Sequence, residues 1–164
     1  MISKTYILEN LRRLDASYRA ASHPKHAFYF SKLSILELCG WIEMSMDEVI
    51  MCHCRRKLQD QKNLDFVQKQ IVNRTYGFDY ERHFKSMMIR LVGVVTMEKI
   101  EKSISVPVHT LFVAELNNLK QVRDSLAHTY AKHVFAIDAP STTRARFNSL
   151  YEGLRAYDGA LRKL

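Results

Sequence analysis

The stretch that decides the fold is HAFYFSKLSILELCGWIEMSMDEVIMCHCRRKL, residues 26–58. Apolar side chains recur in it at intervals of three and four residues, which is the period of an α-helix. At its centre they occupy most sides of the helix, as is typical of a helix buried in the middle of a bundle. These central apolar residues are Leu33, Ile35, Leu36, Leu38, Trp41, Ile42, Met44, Met46, Val49 and Ile50. The pattern predicts one long central helix.

Helical periodicity continues on both sides of this central segment. The predicted helices cover residues 3–20, 26–58, 63–74, 80–102, 108–130 and 143–163. Pro24, Pro107 and Pro140 separate neighbouring helices, because proline cannot continue a helix. Asp79 is the predicted N-cap of the fourth helix. We therefore expect an all-α fold, a single domain over residues 1–164 with about five to six long, mostly antiparallel helices.

Apolar stripes on the later helices predict the rest of the core. In the fourth helix the inward residues are Phe84, Met87, Met88, Leu91, Val94, Val95 and Ile100. In the fifth the inner stripe is Leu111, Leu116, Leu119, Val122 and Leu126, with Phe112 and Val113 alongside it. In the last they are Phe147, Leu150, Tyr151, Leu154, Tyr157 and Leu161. Each set follows the helical spacing that places side chains on one face.

Composition limits the class of protein. The 164 residues are 47% hydrophobic and 26% charged, values that are typical of a globular chain and exclude wholesale disorder. Only five glycines and three prolines interrupt the chain, which favours a few long elements. The net charge of +8 suits a polyanionic partner, although basic proteins with other partners share it.

The cysteines and the apolar segments predict the cellular location. Three cysteines, two of them in Cys52-His53-Cys54, do not form a disulfide framework and fit a reducing compartment. Cys52 and Cys54 would lie about 200° apart on a helix, so both cannot ligate one metal, and we expect no metal and no cofactor. The N-terminus lacks an apolar signal, and the apolar run over residues 91–95 is too short for a membrane span. We expect a soluble, cytoplasmic protein without membrane contact.

A second stretch, Arg123-Asp124-Ser125-Leu126-Ala127-His128-Thr129-Tyr130, carries the candidate chemistry. On a helix, Arg123 and Tyr130 fall almost on one line, and Asp124 and His128 form an adjacent i, i+4 pair. One helix edge thus presents a cation, an imidazole and a phenol. These groups can bind a phosphodiester and transfer protons to or from it. The spacing alone is a weak signal, because chance gives about 0.55 such Arg–His pairs in this composition. The pair is nevertheless the only one of its spacing in the chain, and it follows a leucine stripe.

The segment Leu116-x-x-Leu119-x-x-x-Arg123-Asp124-x-x-Ala127-His128-x-Tyr130 resembles the signature helix of the HEPN superfamily (higher eukaryotes and prokaryotes nucleotide-binding). That motif is an arginine, usually followed by Asn, Asp or His, then four to six residues and a histidine. The version Arg-x4-His-x-Tyr resembles HEPN toxins that pair with minimal nucleotidyltransferase antitoxins. The layout is also similar to bacterial HEPN proteins of ribosome- and phosphate-stress-related families. About 15 residues carry the specific resemblance.

The resemblance implies an all-α domain that forms a homodimer and places two copies of the motif across one cleft. In active members this site cuts RNA without a metal: the 2′-hydroxyl attacks the adjacent phosphate and leaves a cyclic phosphate and a 5′-hydroxyl. The resemblance therefore implies an endoribonuclease, a toxin or defence effector, with RNA as substrate and a nucleotidyltransferase antitoxin as a partner.

The same resemblance assigns roles to residues of this chain. His128 would act as general base or acid, because imidazole titrates near neutral pH. Arg123 would bind the phosphate and stabilise developing negative charge, and Asp124 would orient the imidazole or pair with an arginine. Tyr130 would bind phosphate or be the target of nucleotide modification. Glu43 is comparable in place to an acidic residue that faces the site, and its apolar helix calls for a partner such as Arg123.

Two alternatives remain open. Arg123 and Asp124 could form a solvated helix end, with His128 complementing the helix dipole. The chain could also be a non-catalytic HEPN or helical-bundle module that binds a partner protein or nucleic acid. Weaker candidates for RNA contact are Lys120, Arg55, Arg56 and Lys57. For the last three, a solvated helix end is the favoured interpretation.

Overall fold

The structure is a computed structural model that describes residues 2–127 and 136–164. It is all-helical over these residues, with 84% helix and no strand, which confirms the predicted class. The seven α-helices of the described ranges are α1 (Thr5–Ala20), α2 (Pro24–Lys57), α3 (Gln61–Gln70), α4 (Lys85–Val92), α5 (Val94–Ser103), α6 (Val106–Ala127) and α7 (Pro140–Arg162). None of them, as far as they are described, has an apolar stretch long enough to cross a bilayer.

The central helix α2 packs against α1, α6 and α7. It begins at Pro24, because a proline at the first helical position lacks only an N–H that would be unpaired anyway. The His23 ring caps this end, with Nδ1 accepting the N–H of Lys25 at 3.1 Å. Leu33 and Met44 are 44% and 74% exposed, so the prediction that both lie in the core is wrong. The stripe of α2 that carries Leu33 and Met44 faces solvent, and no helix of the described ranges covers it.

The prediction of one continuous helix over residues 80–102 is wrong. It consists of a π-helical turn, Tyr80–Phe84, followed by α4 and α5, which meet at Gly93. Gly93 has a φ of +79°, a conformation that favours glycine, and it ends α4. The bend turns Val94 and Val95 outward, at 64% and 69% exposed, although both were expected in the core.

The remaining helices follow the prediction with small shifts. The third predicted helix ends early, at Gln70, and a short 3₁₀ turn, Val72–Arg74, completes it. Helix α6 begins at Val106 and buries its leucine stripe, except for Leu111, which is 47% exposed. Helix α7 begins at Pro140, which again occupies the first turn. The core stripe of α7 is buried apart from the half-buried Tyr151.

A chain of hydrogen bonds crosses the core and joins the π-helical turn to three helices. The Tyr80 hydroxyl lies 2.5 Å from Glu101 Oε1 and 2.6 Å from the Tyr157 hydroxyl, which lies 2.8 Å from His109 Nδ1. An ionised carboxylate only accepts, so Tyr80 donates to Glu101 and Tyr157 donates to Tyr80. His109 then presents its Nδ1–H to Tyr157. Burial, followed by the bond to Glu101, raises the pKa of the Tyr80 phenol far above its usual value.

Candidate functional site

Arg123 lies one turn before the described end of α6, and by helical spacing it borders the stripe of the buried Leu119 and Leu126. Its Nη2 and Nε donate to Asp124 Oδ1 at 2.8 and 3.0 Å. Its Nη1 lies 3.4 Å from Glu43 Oε1, at the far limit of a hydrogen bond. The side chain is 30% exposed. The guanidinium is therefore held in one orientation while Nη1 keeps capacity for another acceptor.

A buried aromatic ring supports the guanidinium from below. The Arg123 Cζ lies 4.9 Å from the centre of the Phe78 ring, a cation–π contact, and Phe78 is almost fully buried. The turn that carries Phe78 passes through Gly77, whose φ of +113° favours glycine. Asp79 ends the turn and accepts the N–H of Arg82 at 2.9 Å, which confirms the predicted N-cap.

An ion pair fixes this turn to α6. Lys120, one turn before Arg123, donates to Asp79 Oδ2 at 2.8 Å. This bond, together with the bond from Arg82, lowers the pKa of Asp79 below its usual value. Lys120 thus pairs with Asp79, and a third of its side chain is exposed. This ion pair positions the turn that carries Phe78 beneath Arg123.

The carboxylates of α2 form the opposite side of the site. Glu43 is 39% exposed, so it is half-buried, and Arg123 is the partner expected for it. Asp47 follows one turn later on the same face. Burial, and then the charge of Glu43, raises the pKa of Asp47 to about 6. Within the described ranges, no cation or hydrogen-bond donor contacts the Asp47 carboxylate.

A cavity of about 420 Å³ opens between α2 and the turn that carries Phe78. Its lining includes Glu43, Met44, Asp47, Asn73, Thr75 and Tyr76. Met44 and Tyr76 are strongly exposed, at 74% and 82%. The cavity therefore combines acceptor oxygens with apolar surface, directly beside the Glu43–Arg123 contact.

Replacing Asp47 with asparagine is expected to stabilise the protein at about pH 7.5. The pKa of the carboxyl is raised on folding from its ordinary value of 3.8 to about 6, so the folded state binds this proton more tightly. The free energy of unfolding then decreases as the pH rises through that interval. Asp47→Asn should recover about 1 kcal/mol near pH 7.5, a value reduced for partial exposure, and almost nothing near pH 4.

Urea unfolding at both pH values measures this effect. Asp65→Asn is a matched control, because Asp65 is an exposed acid on α3. It should change stability by less than about 0.5 kcal/mol at either pH. A loss of stability for Asp47→Asn near pH 7.5 would show that the charge has an undetected partner.

Two of the predicted site residues, His128 and Tyr130, lie outside the described residues. For Ala127 the structure describes the backbone, as the last residue of α6, and not the side chain. Asp124 is 47% exposed and pairs with its neighbour Arg123, one of its two expected roles. The structure thus brings Arg123, Asp124 and Glu43 together.

The basic end of α2 is not part of this cluster. Arg55 lies 12 residues beyond Glu43, which is about 18 Å along the helix axis. Arg55 pairs with Glu48 at 3.1 Å, and Arg56 lies 3.5 Å from Asp158. Lys57 is exposed at the last turn of α2. These positions fit the favoured interpretation of a solvated helix end, in which cations complement the helix dipole.

Sequence reasoning missed two groups of this site, Phe78 and Asp47. The contact between Phe78 and Arg123 depends on how the turn packs on α6, and no local sequence pattern predicts it. Asp47 was visible in principle, because an acid four residues after Glu43 shares its helix face.

Comparison of the chain with protein-family models, with curated proteins and with solved structures found no match.

Proposed function

We propose that this protein is a metal-independent endoribonuclease of the HEPN type, a homodimeric toxin or defence effector of the cytoplasm. The setting of Arg123 carries the proposal. Its guanidinium stacks on Phe78 and is held by Glu43 and Asp124. A planar cation fixed in this way is preorganised to bind a phosphate. The resemblance of residues 116–130 to the HEPN motif supplies the acid–base group, His128.

In the proposed reaction, His128 takes the proton of an RNA 2′-hydroxyl, and the 2′-oxygen forms a bond to the adjacent phosphorus. The bond from phosphorus to the 5′-oxygen breaks, and the equivalent histidine of the second copy protonates that oxygen. The products are a cyclic phosphate and a 5′-hydroxyl. Arg123 stabilises the negative charge that accumulates on the phosphoryl oxygens, and this charge is largest in the transition state.

Incubation with total RNA in EDTA tests this function. Wild-type protein should fragment the RNA, and His128→Ala should leave it intact with an unchanged circular dichroism spectrum. His26→Ala is a matched control, because His26 is an exposed histidine at the start of α2. Intact RNA in the presence of well-folded wild-type protein would count against the proposal.

The composite site requires a dimer, and Ala127 is the residue that tests it. By helical spacing, Ala127 lies between Arg123 and Tyr130 on one stripe, where a small side chain lets two motif helices approach. Ala127→Arg should split the dimer and abolish cleavage, yet keep the helical content, because the substitution leaves the buried core residues Leu119 and Leu126 unchanged. Light scattering at low micromolar concentration measures this. A wild-type monomer at every concentration would contradict the composite site.

Regulation by nucleotide transfer belongs to the same proposal. A nucleotidyltransferase antitoxin would attach a nucleotide to Tyr130, adding bulk and negative charge close to Arg123 and repelling RNA phosphates. Mass spectrometry after co-expression with a neighbouring nucleotidyltransferase should detect a modified Tyr130. An unmodified tyrosine in that experiment would remove this form of regulation.

A non-catalytic module that binds RNA or a protein is the second candidate. The ion pairs of Arg123 with Asp124 and Glu43 favour a structural role for this arginine over a catalytic one, because they already neutralise part of its positive charge. Lys120 is neutralised in the same way by Asp79. A mobility shift from which RNA is recovered intact, with equal binding by His128→Ala, would identify this candidate.

A further inference from the structure

The cavity beside Arg123 has two walls of different chemistry. We call it the Tyr76 pocket and define it by Glu43, Met44, Asp47 and Tyr76. Glu43 lies 3.4 Å from Arg123 Nη1, and Tyr76 is two residues from Phe78, the ring under the guanidinium. A group bound in this pocket would therefore adjoin any phosphate on Arg123.

The apolar wall suits a flat ring. Tyr76 is 82% exposed and Met44 is 74% exposed, so both present their side chains to whatever enters. A phenol face and a polarisable thioether are good surfaces for stacking an aromatic ring. Stacking of a base on an aromatic side chain is a principal source of binding to single-stranded nucleic acids.

The polar wall consists of acceptors. Asp47 has no donor or cation in contact within the described parts of the chain, and Glu43 makes only the long contact to Arg123. The half-buried Asp47 thus lacks the hydrogen-bond donors that would offset its loss of hydration. A ligand that brings two adjacent N–H groups to this carboxylate would supply them.

Among the four RNA bases, guanine has this pattern. Its Watson–Crick edge carries N1–H and N2–H side by side, which matches the two oxygens of a carboxylate. Adenine, cytosine and uracil each place an acceptor next to their donor, and that acceptor would face the carboxylate. The geometry therefore selects a base by its hydrogen-bonding edge as well as by its flat shape.

We propose that the Tyr76 pocket binds a guanine base of single-stranded RNA, stacked on Tyr76 and hydrogen-bonded to Asp47, while the adjoining phosphate lies on Arg123. This inference rests on the proposed ribonuclease function and makes it selective for cleavage beside guanosine. The phosphate meets the guanidinium at Nη1, where the contact to Glu43 is longest.

Calorimetry with nucleotides tests the pocket without requiring cleavage. The probes are the 3′- and 5′-monophosphates of guanosine, adenosine, cytidine and uridine. A guanosine monophosphate should bind roughly tenfold or more tightly than the other three, as expected for one bidentate contact to a base. Asp47→Asn should remove this preference, and Tyr76→Ala should weaken binding of all four nucleotides.

Matched controls separate the pocket from general effects. Asp65→Asn removes an exposed acid of α3, and Tyr6→Ala removes an equally exposed tyrosine of α1, at 78%, outside the pocket. Both should bind guanosine monophosphate as the wild type does. Binding without base preference, or a preference that survives in Asp47→Asn, would overturn the inference. The absence of any nucleotide binding would overturn it too, and is the result expected if the second copy of the dimer fills the pocket.

Cleavage mapping distinguishes failure of the pocket from failure of the ribonuclease. Cleavage of a defined RNA without enrichment of guanosine at the cut would overturn the pocket and leave the ribonuclease standing. Selective binding of guanosine monophosphate that Asp47→Asn abolishes, with RNA left uncut, would uphold the pocket and reject the ribonuclease.

Discussion

Arg123→Ala is expected to reduce RNA cleavage by about a thousandfold, the size of effect seen when a group that stabilises transition-state charge is removed. Arg123→Lys should recover only part of this loss, because an ammonium group lacks the planar fork that contacts Glu43 and Asp124 and stacks on Phe78. Initial rates on a fluorescent RNA measure both variants. Stability should change by less than about 1 kcal/mol, because these ion pairs are partly exposed.

Arg155→Ala is the matched control for Arg123. Arg155 is an exposed arginine of α7 that also lies over an aromatic ring, that of Tyr151, at 5.7 Å. Its removal takes away the same charge and a similar cation–π contact, far along the chain from the motif. Cleavage by Arg155→Ala should match the wild type. Equal rates for Arg123→Ala and Arg155→Ala would show that Arg123 has no part in the chemistry.

Gly153→Ala is expected to destabilise the fold by about 3 kcal/mol and to lower the melting temperature by roughly 10 °C. A Cβ at Gly153 would overlap the ring of Phe112, where α7 crosses α6. Phe112 is fully buried, and its ring packs edge-on against Phe84 and Tyr80, so it has no free space to occupy. Helix α7 must therefore move away from α6.

Gly159→Ala is the control for this change in the same helix. A Cβ at Gly159 would meet nothing within 4 Å, so only the helix propensity changes. Alanine there should stabilise the protein by about 0.5 kcal/mol. Thermal unfolding of both variants compares the two positions. A Gly153→Ala protein as stable as the wild type would contradict the close packing of α6 and α7.

The helical class was predictable because it depends on local patterns. The spacing of apolar residues identified each long helix, and Pro24 and Pro140 marked two starts to within three residues. The break at Gly93 was not predictable, because a lone glycine is tolerated within a helix and its positive φ depends on how α4 and α5 pack. Periodicity also could not tell that the stripe through Met44 is exposed.

The candidate site was predictable where charge alone decides the contact. A carboxylate inside an apolar helix needs a cation, and this expectation led from Glu43 to Arg123. The hydrogen-bond chain from His109 to Glu101 and the support under Arg123 join residues that are far apart in the chain. Such contacts depend on tertiary packing, which no single segment encodes. His128 and Tyr130 remain predictions of the sequence motif.

The chemistry of the RNA ends tests the central claim most directly. A defined RNA is incubated with wild-type protein in EDTA, and the fragments are identified by mass spectrometry. The proposed reaction predicts 5′-fragments that end in a 2′,3′-cyclic phosphate and 3′-fragments that begin with a 5′-hydroxyl, with no fragments from His128→Ala. Uncut RNA with folded wild-type protein, or fragments that carry a 3′-hydroxyl and a 5′-phosphate, would contradict it.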